Sequence, residues 1–352
     1  WKIQILIKKI FLKFIFNVGH KETMSFNLLS SLNLNKILEI KKPDIVHLHW
    51  IGNEMLSMKT ISQIKKPLIW TMHDMWPFCG AEHFTNNNNF ANGYKAQNKN
   101  LIRKKFNVNR FIWNLKYKFL KNKNIVILCP SEWIRKRAKK SIIFQKKKIF
   151  TFPNIINSND WKILPKPYLK KKYLNNTKKK VLLFSATSSV NHRKGFNFLF
   201  DAIENYLDQD FYYLLVAGVK PNLFDSLNIE KKFLGEISSI SEMNMIYNMT
   251  DIYILPSLIE SFGQVFIEAG ACGVPSVAFQ NTAAEDVILH KSTGYLAKYK
   301  SSKDIANGIN WCKKNLISKK IICNKIRKNT INKYSYQKKI PKMIKLYNEM
   351  IR

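Results

Sequence analysis

Acidic side chains are few. The 352 residues carry 23 Asp and Glu against 59 Lys and Arg, a formal net charge of +36. An excess of this size suits a polyanionic partner, either nucleic acid or an anionic membrane surface. No motif that reads RNA or DNA accompanies it, which counts against nucleic acid. Most of the excess is Lys beside abundant Asn and Ile, a pattern that compositional bias on exposed positions also produces. Cysteine is scarce as well. Cys79, Cys129, Cys272, Cys312 and Cys323 are odd in number, scattered and without a C-x-x-C. That leaves no basis for a disulfide framework or a thiolate zinc site, and it fits a reducing cytoplasm. There is no internal repeat.

A long apolar run is also missing from the start of the chain. Residues 2–16, KIQILIKKIFLKFIF, are too short and too rich in Lys to span a membrane. No small-residue cleavage site follows them cleanly, as a signal peptide would need. Drawn as a helix, Lys2, Lys9 and Lys13 share one face, and Ile3, Leu6, Ile7, Ile10, Phe11 and Phe14 share another. The expectation is an amphipathic helix that packs on its own domain, with a membrane surface as the second reading.

What is present is a set of alternating strands and helices. Hydrophobic residues make up 46% and aromatics 13%, and the length suits two domains. Strands are expected at 44–50, 67–72, 125–128, 148–152, 181–185, 211–217, 252–255 and 276–279. Helices are expected at 28–40, 55–64, 103–120, 132–140, 196–206, 241–248, 264–272, 283–289, 305–315 and 340–351. Such alternation indicates parallel sheets. A Pro- and Lys-rich linker is expected to follow Asn157, and 233–237 reads as the start of a loop.

The most informative stretch is DIYILPSLIESFGQVFIEAGACGVPSVAF, residues 251–279. Ile252–Leu255 is a short buried strand, and Pro256 and Ser257 end it. Gln264–Cys272 is a helix, with Gly273 at its C′ position and Pro275 blocking continuation. In an open parallel sheet, ligands sit beyond the carboxyl ends of the strands. A helix that starts there turns free N–H groups towards a phosphate or a sugar hydroxyl. Glu260 and Glu268 flank that position.

The E-S-F-G string, whose Glu260 is separated from a second Glu, Glu268, by seven residues, resembles the donor site of family 4 retaining glycosyltransferases. The resemblance implies an α/β GT-B fold, two Rossmann-like domains facing each other across a cleft. It implies that Glu268 binds the ribose of a sugar nucleotide and that Glu260 approaches the sugar. Backbone amides around Ser261, Phe262, Gly263, Gln264 and Val265 would serve the sugar and diphosphate. Lys194-Gly195 matches the family's Lys-Gly position. The usual Gly-Arg is replaced by Ser188-Ser189, so Arg193 is expected to supply the second cation. No metal is required, and Asp208-Gln209-Asp210 reads as a loop.

The segment HDMWPFCGAEHF, residues 73–84, with PDIVHLHW upstream, is similar to the acceptor-side domain of colanic-acid-type polysaccharide glycosyltransferases. There His73 would face the donor sugar. His47 and His49 alternate on a strand and share a face, but no carboxylate or Cys completes a zinc site at a telling spacing.

The resemblance runs from about Pro43 to Tyr347. It implies an acceptor-side domain at 1–155, a nucleotide-sugar domain at 156–330 and a closing helix at 331–352 that packs back towards the first domain. Nothing before Pro43 resembles the family's opening strand and Gly-rich loop, and with the Trp1 start this reads as a fragment lacking its first βα unit. The expected activity is transfer of a sugar from a nucleotide-diphosphate donor to a surface polysaccharide or lipid-linked glycan precursor. It would take place in the cytoplasm, with peripheral attachment to the inner membrane face as a further possibility, and with no cofactor beyond the donor. Alternatives are a basic nucleic-acid-binding protein, a sugar-nucleotide epimerase on the same fold, or a phosphorylase, for which no convincing pyridoxal-phosphate Lys is present.

Overall fold

The computed structural model describes residues 24–95, 107–186, 192–317 and 320–352. The amphipathic helix expected at 2–16 and the loop residues Ser188 and Ser189 lie outside them. The chain divides into two compact units, residues 1–152 with Ile344–Arg352, and Pro153–Met343.

The first unit is built on four parallel strands, β1 (Val46–Leu48), β2 (Leu68–Thr71), β3 (Val126–Cys129) and β4 (Ile149–Thr151), in the order β1-β2-β3-β4. All residues of β2 and β3 are buried, as expected of a parallel sheet covered on both faces. Helices α1 (Leu34–Lys41), α2 (Met58–Ser62), α3 (Val108–Leu120) and α4 (Glu132–Lys140) connect and flank the strands. Asn33, Ser57, Asn107 and Ser131 cap their N-termini through side-chain oxygens.

The second unit has six parallel strands. They are β5 (Lys180–Ala186), β6 (Tyr212–Gly218), β7 (Glu230–Gly235), β8 (Ile252–Ile254), β9 (Ser276–Phe279) and β10 (Gly294–Ala297). Their order is β10-β9-β8-β5-β6-β7. The chain runs outward from β5 through β6 and β7, then crosses to β8 and runs outward the other way. The switch point therefore lies between β5 and β8. Helices α5 (Lys166–Tyr173), α6 (Phe196–Tyr206), α7 (Ile240–Met249), α8 (Gln264–Ala271), α9 (Ala284–Val287), α10 (Ser302–Asn315), α11 (Lys320–Tyr334) and α12 (Tyr336–Ile351) complete the chain.

Buried Asp251 ties the start of β8 to its neighbours. It accepts from the Val181 N–H at 2.8 Å, from Lys166 at 2.9 Å and from Lys170 at 2.7 Å. Burial pushes its carboxyl up, but the two lysines and the amide outweigh burial and hold it below the usual range.

Several elements differ from expectation. The Pro- and Lys-rich segment after Asn157 is part of the fold, not a linker. It forms α5 and buries Trp161, Leu169 and Leu174, with Pro167 in the first turn, where a missing N–H costs nothing. Residues 230–235 are a strand rather than an approach to a loop. As an edge strand, β7 alternates half-buried and exposed side chains and so lacks a continuous apolar run. The last helix begins at Tyr336 and continues through Pro341. Helix α1 begins only at Leu34, because after the turn at Asn27, with φ 49°, the Ser31 and Leu32 N–H groups donate to the Glu54 and Met55 carbonyls at 2.8 and 3.2 Å. Among the described residues, no helix is long and apolar enough to cross a membrane.

Candidate functional site

The carboxyl ends of β5 and β8 bring two loops together at the switch point. Gly195, with φ +72°, allows the contact. A Cβ there would lie 1.9 Å from the Pro256 carbonyl oxygen, so only glycine lets the two backbones approach. The Leu258 N–H donates to the Arg193 carbonyl at 2.7 Å and locks the loops together.

Three predicted residues meet there. Lys194 Nζ lies 2.9 Å from Glu260 Oε2, and Arg193 Nη1 donates to the Ile259 carbonyl at 2.9 Å. Ser257 Oγ stands 3.4 Å from the same Glu260 oxygen. Burial pushes the Glu260 carboxyl up, but Lys194 and Arg193 oppose it. The result is a carboxyl held below the usual range, ionised at neutral pH.

Ser261 and Phe262 are buried and lead to Gly263, whose φ is +81°. A Cβ on Gly263 would meet the Phe266 ring at 2.3 Å. Gly263 opens α8 without a side-chain cap, and half-buried Gln264 and Val265 form the first turn.

Glu268 lies one turn further on. Its Oε2 accepts from the Tyr247 hydroxyl at 3.0 Å. Burial raises its carboxyl, and hydrogen bonds from Tyr247 and Gln264 oppose the rise. Glu268 borders a cavity of about 360 Å³, lined by apolar Ile237 and Met243 and by polar Asn157 and Ser239. A volume of this order holds a small ligand. Tyr247 was not foreseen. It sits on α7, where an aromatic side chain reads as ordinary core.

The first unit holds His73, half-buried just beyond β2. Its Nε2 is 2.9 Å from His49 Nδ1, and His47 stacks on His49 with ring centroids 4.3 Å apart. His47 also bonds the Tyr347 hydroxyl at 2.6 Å and Thr71 Oγ1 at 2.8 Å. Burial lowers all three imidazoles, so the row is neutral at pH 7. Among the described residues, no group of three or more His, Cys, Asp or Glu side chains is placed to hold a metal.

A buried network behind His73 also escaped the sequence reading. Asp74 Oδ2 is 2.6 Å from His83 Nδ1, and His83 Nε2 is 2.8 Å from Ser25 Oγ. Trp50 Nε1 donates to Asp74 Oδ2 at 3.1 Å, and the Trp76 N–H donates to Oδ1 at 3.0 Å. Below it, the fully buried Lys116 donates to the carbonyls of Trp76, Cys79 and Gly80. The loop that carries His73 is thus pinned on both sides.

Residues 165–333 match the family described as Glycosyl transferases group 1, and residues 12–160 match Glycosyltransferase Family 4. The chain belongs to the family 4 glycosyltransferases. One relative is the capsular polysaccharide biosynthesis glycosyltransferase CapM of Staphylococcus aureus. It is 27% identical over 42% of this chain and 36% of its own length. The chain spans less than half the length of the curated relatives it matches.

Among solved structures, sucrose-phosphate synthase from Thermosynechococcus elongatus superposes with a TM-score of 0.69. Its identity is 16%, over 90% of this chain and 76% of that one. Anabaena HepE, solved in complex with UDP and glucose, superposes with a TM-score of 0.63 and 18% identity, over 90% and 80%. At these identities the likeness bears on the fold alone, and that fold is GT-B: this glycosyltransferase has two parallel-sheet α/β domains.

Proposed function

We propose that this glycosyltransferase takes a sugar from a nucleotide-diphosphate donor and transfers it, with retention at the anomeric carbon, to a surface polysaccharide or lipid-linked glycan precursor. The observation that carries this reading is the Lys194–Glu260 pair at the switch point, with Glu268 on the helix that follows and bordering a cavity.

Each side chain then has a task its environment suits. Departure of the nucleoside diphosphate builds negative charge on the β-phosphate, and Lys194 and Arg193 are fixed cations beside it. The N–H groups at the start of α8, around Phe262 to Val265, serve the sugar and diphosphate. Glu268, which also accepts from Tyr247 and Gln264, accepts from the ribose hydroxyls. Glu260 is ionised, so it accepts hydrogen bonds from the donor sugar rather than protonating it. His73, neutral at pH 7, positions the reacting sugar without adding charge. The support from relatives is the CapM name and the UDP and glucose bound to HepE. We further infer reversible, salt-sensitive attachment to an anionic inner leaflet, on the strength of the +36 charge.

A thermal-shift screen against a panel of nucleotide sugars tests the reading, because a ligand that binds the native state raises its melting temperature. At least one nucleotide sugar should raise it, and Lys194→Ala should reduce the rise. A panel without any shift contradicts the proposal.

A further inference from the structure

Helices α11 and α12 meet at Ser335, and the junction is fixed from the side. The Ile156 N–H donates to the Tyr334 carbonyl at 3.0 Å, and the Tyr336 N–H donates to the Ile156 carbonyl at 3.1 Å. The Lys338 and Lys339 N–H groups both donate to the Ser335 carbonyl and close the first turn of α12. Between the helices lies a cavity of about 420 Å³, lined by Asn329, Asn332, Lys333, Lys338, Lys339 and Lys342.

Four ammonium groups and two amides line this space, and no carboxylate does. Lys333 is held by the Asp286 carbonyl at 2.7 Å, and its charge is opposed by burial and eased by Asp286. Lys339 is depressed by burial first, then by Lys342 on its own helix and by Lys333 on α11. Cations set facing one another on a fixed frame repel, and an anion between them would remove that cost. Lysine is a point charge with three donors, and amide NH₂ groups add neutral donors, a set that suits a phosphate carrying two or more negative charges.

We propose that this cavity is a second anion site, separate from the donor site at Lys194, and that it takes a diphosphate or phosphate monoester group. The group could belong to a soluble phosphate compound or to a lipid headgroup, and the chemistry of recognition is the same.

The test uses the full chain carrying Lys194→Ala, which weakens the donor diphosphate site. Inorganic pyrophosphate is titrated by calorimetry. The expected result is a saturable event whose affinity falls about tenfold or more when Lys338→Ala and Lys342→Ala are added, since each removes a charge-assisted contact. Lys65→Ala with Lys66→Ala makes the same change in net charge elsewhere and should leave the affinity unchanged. All four positions are exposed, so folding is preserved, and circular dichroism checks it.

A second arm measures co-sedimentation with phosphatidate and with phosphatidylcholine vesicles. Phosphatidate binding that needs Lys338 and Lys342, but not Lys65 and Lys66, assigns the site to a lipid headgroup. Pyrophosphate binding without it assigns the site to a soluble phosphate. If both lysine pairs have equal effects in both arms, or neither ligand binds, the proposal is wrong.

Discussion

At the scale of single residues, burial decides which side chains carry charge. His47 titrates at about 4 rather than 6.5, because burial and then His49 and His73 disfavour its cation. Above pH 6.5 neither the folded nor the unfolded chain protonates it, and its full contribution to stability is present. Between 6.5 and about 4, the unfolded chain binds a proton that the folded chain refuses, so stability falls as pH falls. Thermal unfolding followed from neutral to mildly acidic pH should show this loss, and His47→Gln should flatten part of it. A slope that the substitution leaves unchanged contradicts the assignment. Lys116 makes a different kind of contribution. Burial lowers it to about 7, partly offset by Cys79, Glu82 and Asp74. Lys116→Met would strip three buried carbonyls of their donor, at an expected cost of about 3 kcal/mol in urea denaturation. A change near zero would mean that water replaces the ammonium.

At the scale of elements, Asp251 joins α5, β5 and β8. Asp251→Asn should destabilise the protein by about 2–3 kcal/mol, below the usual figure for a broken buried ion pair because Lys166 is partly exposed. Chemical denaturation measures it, and an unchanged midpoint would show that the two lysines find other partners. The β8–α8–β9 unit was legible in the sequence because a buried apolar run, Gly263, Gly273 and Pro275 punctuate it unambiguously. The ends of α1 and α12 were not, since turns at Asn27 and Ser335 depend on partners distant in the chain. Helix α5 and strand β7 were misread for one physical reason. Both are short and rich in Lys, and their buried positions are too few, Leu169 alone in α5 and none in β7, to leave a readable period. The site followed the same division. Glu260 and Glu268 stand in a local motif, whereas Tyr247 and the Asp74–His83–Ser25 network arise only from contacts between elements.

At the scale of the whole molecule, the proposed donor chemistry needs fixed positive charge at the departing diphosphate, the role proposed for Arg193 and Lys194. Turnover by the enzyme should therefore survive exhaustive chelation. Complete loss on chelation, restored by magnesium or manganese, would show that a metal carries the charge instead. The central claim is that the cavity beside Glu268 holds the nucleoside of a sugar nucleotide. It is tested most directly by calorimetry of wild type and Glu268→Ala with a nucleotide sugar that raises the melting temperature. The account predicts that the substitution weakens binding by about 1.5–3 kcal/mol, the range for hydrogen bonds to a charged group. An affinity that Glu268→Ala leaves unchanged would contradict it.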